Sequence, residues 1–278
     1  MIQGQKFIEL ADYIFRPYGG NNPFNHIVEG DYRYLKNTLD FEKLKDGDII
    51  YTHTFYIPQL FERLNRGLKL TVISHNCDTP AESVPPEGVT WFTSNVNIEH
   101  DRVIALPLGL QNDIWFPEIR KKEKMIQKMN EPKNLKNLVY CDHRLWVNPE
   151  ERIKPYKVLE GKPWATCIHT DKTDVKLTHE TPESFDRYLE NLYNHAFVIC
   201  AEGNGIDTHR VWECLYMNTI PVMIRNINNS FYSDLPILFI DDWEELSQKF
   251  LHDSFMDIAG KKWNTKKLDF DYWKHELT

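Results

Sequence analysis

Apolar runs rich in β-branched residues recur at short intervals in the first half of the chain. "DIIYTH" (48–53), "LKLTVISHN" (68–76), "VTWFTSN" (89–95) and "RVIALPLGL" (102–110) are each nearly unbroken. A strand wetted on one face would alternate; near-continuous runs fit strands covered on both faces, as in a parallel sheet packed between helices. Residues 57–67, "IPQLFERLNRG", read as a short helix ended by Gly67. In open α/β sheets, ligands gather beyond the carboxyl ends of the strands. That rule points to His53, the "SHNCD" of 74–78, Asn95 and Gly109. The Gly/Asn-rich stretch "FRPYGGNNPFNH" (15–26) reads as a surface loop.

The same alternation resumes after residue 137. "NLVYCDH" (137–143), "WATCIH" (164–169), "AFVICAE" (196–202), "TIPVMI" (219–224) and "PILFI" (236–240) are strand candidates. Helical patterns at 148–161, 182–194, 207–217 and 242–252 separate them, the first starting at Asn148 with Pro149 in its first turn. Between the halves, "RKKEKMIQKMNEPKNLKN" (120–137) is lysine-rich, broken by Pro132 and thin in apolar periodicity. It reads as a solvated helix and linker. The expected organisation is therefore α/β, with two Rossmann-like domains of mostly parallel sheet facing a central cleft. Residues 1–130 form the first domain and 131–252 the second. The aromatic tail 253–278, with Trp263, Phe270, Tyr272 and Trp273, packs back across them.

Composition narrows the class. The chain has 278 residues, 41% of them apolar and 13% aromatic, enough for sizeable cores. Its net charge of -8 disfavours polyphosphate, so nucleic acid is a poor partner. Five cysteines with no C-x-x-C pair suit reduced thiols. Neither a signal peptide nor a membrane span is visible, and a soluble, cytoplasmic protein is expected. The eleven histidines lack ligand spacing, and the "DFD" at 269–271 falls in the aromatic tail rather than at a strand end, so no metal site is expected.

The densest chemistry lies at 201–213, "AEGNGIDTHRVWE". A strand runs into a glycine turn over 202–205, then into a helix for which Asp207 or Thr208 is a natural N-cap. Glycines allow close backbone approach, the helix end carries about half a positive charge, and Arg210 lies within one turn of it. Glu213 shares the flank of Arg210. The ensemble suits a nucleotide diphosphate, with Glu213 toward ribose hydroxyls; a plain tight turn with an Arg210–Glu213 ion pair is the alternative. The stretch has neither the P-loop lysine nor the dinucleotide-binding glycine pattern.

Residues 197–224, "FVICAEGNGIDTHRVWECLYMNTIPVMI", resemble the signature of exostosin-like glycosyltransferases, members of the GT-B class. The matching positions are Gly203, Gly205, Asp207, Thr208, His209, Arg210, Trp212, Glu213, Ile220, Pro221 and Val222. Asn218 replaces the family's usual glycine before the last strand, and asparagine also tolerates the left-handed conformation needed there. The resemblance implies transfer of a sugar from a nucleotide-diphosphate donor, UDP- or GDP-linked, to a glycan or other hydroxyl acceptor, without metal or other cofactor. It implies a donor-binding set of Arg144, Glu202, Gly203, Asn204, Gly205, Thr208, His209, Arg210 and Glu213. An inverting transfer needs a general base from the first domain, for which His75 and Asp78 are the candidates. A DNA-base glycosyltransferase, a nucleotide-sugar epimerase or hydrolase, and a non-catalytic sugar- or protein-binding module are the alternatives.

Overall fold

The computed structural model describes residues 1–17, 39–64, 67–115, 117–170 and 181–278. Most of the 15–26 loop lies outside them. Among the described residues, ten strands form two five-stranded sheets in which every paired strand is parallel.

The first sheet runs β1 (Tyr13–Ile14), β2 (Ile49–Thr52), β3 (Leu70–Ser74), β4 (Val89–Thr93) and β5 (Val103–Ala105), in chain order. Its apolar rows are buried on both faces, as their unbroken pattern requires: Ile50, Tyr51, Val72, Ile73 and Trp91 are all fully inaccessible. The two-residue β1 is too short for any periodicity to announce it.

The second sheet contains β6 (Asn137–Arg144), β7 (Ala165–Thr170), β8 (His195–Ile199), β9 (Ile220–Ile224) and β10 (Leu238–Ile240). Its spatial order is β7-β6-β8-β9-β10. Counted within this sheet that is 2-1-3-4-5, a doubly wound order whose topological switch point falls between β6 and β8.

Two readings of the sequence change. The lysine-rich stretch contains a helix, α3 (Lys121–Met129), that is docked rather than a linker. Its Met125 is buried, Lys124 pairs with Asp186 at 2.6 Å, and Lys128 pairs with Glu190, both acids being on α5 (Pro182–Tyr193). Those two lysines bind it to the second sheet's covering layer. The helix expected at 242–252 is divided. A 3₁₀ turn at Trp243–Glu245 ends at Leu246, and Ser247 then caps α8 (Gln248–Ala259) by accepting from Phe250 N. Two capping residues five apart, Asp242 and Ser247, start two elements where hydrophobic spacing suggested one.

The tail returns to the first sheet's side. The Phe270 ring, at the start of α9 (Phe270–Leu277), lies 5.4 Å from that of Phe7, and Trp273 is buried in the shared core. Asp269 caps this helix through a bond to Asp271 N, which gives the "DFD" motif a structural use. All five cysteines are free thiols; Cys141, Cys200 and Cys214 are buried, while Cys77 and Cys167 are partly exposed. Among the described residues no helix is long and apolar enough to cross a membrane.

The carboxyl ends of the two sheets meet. Val96 N, just past β4, donates to Asn228 Oδ1 at 2.9 Å, and Leu108 N, just past β5, donates to Asp207 Oδ2 at 2.9 Å. Asp207 N in turn donates to Asn95 Oδ1 at 2.8 Å. These bonds join the strand ends of the first sheet to the turn and helix after β8 and to Asn228, just past β9.

Candidate functional site

Helix α6 (His209–Tyr216) begins at this junction. Its apolar face, Val211, Trp212, Cys214 and Leu215, is buried against the sheet. Thr208 occupies the N-cap position with extended backbone, yet its side chain makes no cap bond and Oγ1 is buried without a partner. Asp207 is anchored instead: its carboxylate accepts from Leu108 N and from Trp212 Nε1 (2.9 and 3.0 Å to its two oxygens). Burial pushes this carboxyl up to about 7, against the lowering effect of those N–H donors.

The turn before it is fixed from both sides. Gly203 N donates to Gly205 O at 3.0 Å. A Cβ at Gly203 would meet Arg152 Nη2 at 2.7 Å, and one at Gly205 would meet Asn95 Oδ1 at 2.9 Å. A side chain at either position would have to push aside the Arg152 guanidinium or the Asn95 amide, at the point where the turn fits between an arginine and the other sheet's loop. Asn204 is exposed at the tip. The Glu202 side chain turns away to accept from Asn226 Nδ2 at 2.9 Å, and burial raises its pKa.

Arg152 reaches this turn, with the charges of Arg144 and Arg210 close by. Arg144 is the last residue of β6, Arg210 lies in the first turn of α6, and Arg152 comes from α4 (Pro149–Leu159). Arg152 donates from Nε to Glu202 O at 2.9 Å and from Nη1 to Arg144 O at 3.4 Å. Burial, then the nearby charges of Arg210 and Arg144, lower the Arg152 pKa to about 10. Asn148, which starts α4, has left-handed backbone (φ 53°) and makes no cap bond. Its amide donates to Gly203 O at 3.1 Å, so it braces the turn.

Arg210 lies over the Tyr188 ring at 5.3 Å, and its Nη1 is buried with no hydrogen-bond partner. It forms no salt bridge with Glu213 despite the i,i+3 spacing, which removes the plain ion-pair reading. Burial works against its charge, but Tyr188, Asp142, Cys200 and Tyr140 together outweigh that and raise its pKa. Glu213 is buried and accepts from Tyr188 OH at 2.6 Å. Its known partner is thus a tyrosine beneath the helix, and the expected ribose contact would have to use the other carboxylate oxygen.

The residues from the first sheet fare differently. His75 is fully buried against Phe7; its Nε2–H donates to Pro107 O at 3.0 Å and Nδ1 accepts from Asn76 N at 2.8 Å. Both ring nitrogens hold structure, and neither reaches the junction. Asp78 is exposed and close enough to act electrostatically on His209. His209 Nδ1 bonds Gly109 O at 2.8 Å, a fourth link between the halves. Gly109 must be glycine for this: its φ is +69° and a Cβ would meet Ile2 O at 2.5 Å.

The structure thus gathers Arg144, Gly203, Asn204, Gly205, Thr208, His209 and Arg210 around one turn. Glu202 and Glu213 border it with their carboxylates engaged elsewhere, Asp78 lies at its margin, and His75 lies apart. Arg152 and Asn148 were missed, although Arg152 had a signal: it is a basic residue in the first turn of a helix that follows a strand's carboxyl end. Comparison with known proteins returns no family: no family model matches the chain, and no curated protein does.

An anion fits this arrangement. It would accept from Arg210 Nη1, relieve the repulsion among the three arginines, and meet the free N–H groups of the α6 N-terminus. An unpaired buried guanidinium nitrogen costs more than about 1–3 kcal/mol in its absence.

Proposed function

We propose that the protein is a metal-independent glycosyltransferase of GT-B type, whose second domain binds a nucleotide-diphosphate sugar and whose first domain faces the acceptor. The observation that carries the reading is the Arg144–Arg152–Arg210 cluster, with its unpartnered Nη1, at the β6–β8 switch point. Sugar transfer from such a donor leaves a diphosphate behind, and arginines aimed at its oxygens stabilise the charge that develops as the bond to the sugar breaks. Arginine and helix-end N–H groups do this without a metal ion. The resemblance of residues 197–224 to exostosin-like transferases supports the same assignment, as do two parallel sheets whose carboxyl ends face one another.

The test is a thermal-shift series with UDP, GDP, CMP and dTDP, with and without EDTA, on wild type, Arg210→Ala and Arg152→Gln. One nucleotide should raise the wild-type melting temperature, unaffected by chelation. Arg210→Ala should abolish the shift, and Arg152→Gln should weaken binding roughly tenfold, the loss of one charge-assisted contact of about 1.5–3 kcal/mol partly offset by relief of repulsion. A wild type indifferent to all four would sink the proposal.

A further inference from the structure

We propose that His209 is the general base of this transfer, taking the proton from the acceptor hydroxyl at Nε2. The inference rests on the glycosyltransferase reading and moves the His209 side chain from the donor-binding set that the resemblance implies to a role in proton transfer.

The geometry carries it. The Gly109 carbonyl can only accept, so the 2.8 Å bond to His209 Nδ1 requires a proton on Nδ1. In the neutral ring Nε2 is then an unprotonated lone pair. It has no hydrogen-bond partner among the described residues, and the side chain is only partly buried. The bond also fixes the ring plane, as the orienting partner of a catalytic histidine does. The ring is placed where the strand ends of the two sheets meet, with Gly109 from one side and Arg210 next along the helix from the other. A donor held by the arginines and an acceptor entering from the first domain would both be adjacent to it. Trp115 stands edge-on to the ring at 6.3 Å and walls one side.

The surrounding charges agree. Burial lowers the His209 pKa, and Lys121 lowers it further, while the Gly109 bond, Glu213 and Asp78 act in the opposite direction. The net shift is downward, so the imidazole is neutral and able to accept a proton at neutral pH. The base candidates named from the sequence are less suited: His75 has both nitrogens engaged, and Asp78 is exposed at the margin of the site, without a bond among the described residues that fixes it toward the junction.

The step balances as a single displacement. The acceptor O–H proton passes to His209 Nε2 and the oxygen's electron pair forms the bond to the anomeric carbon. The bond from that carbon to the donor's phosphate oxygen breaks, and its electron pair leaves on the diphosphate beside the arginines. The imidazolium then returns its proton to water. Such a displacement inverts the anomeric centre.

His209→Asn separates this role from a structural one. The asparagine amide can still donate to Gly109 O, since its nitrogen stands close to the position of Nδ1, but it offers no basic nitrogen. Release of free nucleotide from UDP-, GDP-, CMP- and dTDP-linked sugars, with methyl glycosides as acceptors, gives kcat. Thermal shift with the bare nucleotides gives binding. We expect His209→Asn to keep the nucleotide shift and to lose 10²–10⁴-fold in kcat, together with the acid limb of the wild-type pH profile, whose midpoint should fall below about 6.5. A ¹⁵N spectrum of wild type should show the Nδ1–H tautomer. Near-wild-type kcat in His209→Asn, or a loss of nucleotide binding with unchanged kcat, would overturn the base while leaving the donor site intact. A wild type that binds none of the nucleotides, or releases none from any donor, would overturn both readings.

Discussion

The carboxyl ends of the two sheets have similar polar content and opposite character. Past β2, β3 and β4 the hydroxyls and rings are knitted together. Ser74 Oγ lies 3.1 Å from Thr54 Oγ1 and 2.6 Å from Thr93 Oγ1, and it accepts from Trp91 Nε1 at 2.9 Å. His75 is tied to Pro107 and Asn76. What is left over there, Ser94 Oγ and Asn76 Nδ2, is neutral. Past β6 and β8, by contrast, cations are crowded, and the buried atoms left over include a guanidinium nitrogen, Arg210 Nη1, beside the Thr208 hydroxyl and His143 Nε2. The difference teaches that position at a strand's carboxyl end marks a place for chemistry without saying whether it is used. An unpartnered nitrogen on a charged group is the discriminating sign, because leaving it buried costs more than leaving a hydroxyl unpaired.

Three substitutions test that contrast. The largest effect belongs to Asp207, which links the two ends. Its folded pKa, pushed up to about 7, lies above the unfolded value near 3.9, so between those values the folded state holds a proton that the unfolded state has released. Stability from this group is therefore present below about pH 4 and lost as pH rises toward 7, by up to about 1.4 kcal/mol per pH unit. Denaturation of wild type and Asp207→Asn across pH 4–7 should show a downward slope for wild type relative to the variant; parallel curves would contradict it. Next comes His75→Ala, which should cost at least about 1–3 kcal/mol of stability through the orphaned Pro107 carbonyl and Asn76 amide, with nucleotide binding unchanged. A lost nucleotide shift at preserved stability would instead make the first sheet's end part of the site. The smallest is Asn148→Ala. Removing its bond to Gly203 O should weaken nucleotide binding about two- to tenfold, near 0.5–1.5 kcal/mol, and should move the melting temperature little.

Much of the architecture was legible because it is local. Strands buried on both faces announce themselves by unbroken apolar runs, and nine of the ten described strands coincide with one. The left-handed Asn218, at φ 52°, was foreseeable from the turn chemistry. What escaped depends on distant pairing. Nothing around Tyr13 and Ile14 says that they lie beside Ile50 and Tyr51. Asn148 looks like a helix cap because its neighbours are Pro149 and Glu150, but a loop 55 residues away is its partner. Thr208 has the right type and place for a cap, and Asp207 satisfies the junction instead by reaching 99 residues back to Leu108. Arg144 and Arg210 could be suspected one at a time; that Arg152 joins them follows only from the crossover that sets α4 beside β6 and β7.

The segment 207–209 carries the first residue of α6 and three of the fastenings between the halves: Asp207 with Leu108 and Asn95, and His209 with Gly109. A domain pair hinged elsewhere could open while keeping its cation-bearing helix intact. Here separation of the halves unpins that helix, so the site and the junction form one cooperative unit. In hydrogen–deuterium exchange the amides of Leu108 and Asp207 should gain protection together when a nucleotide binds, since a ligand gripping the arginines also suppresses opening of the seam.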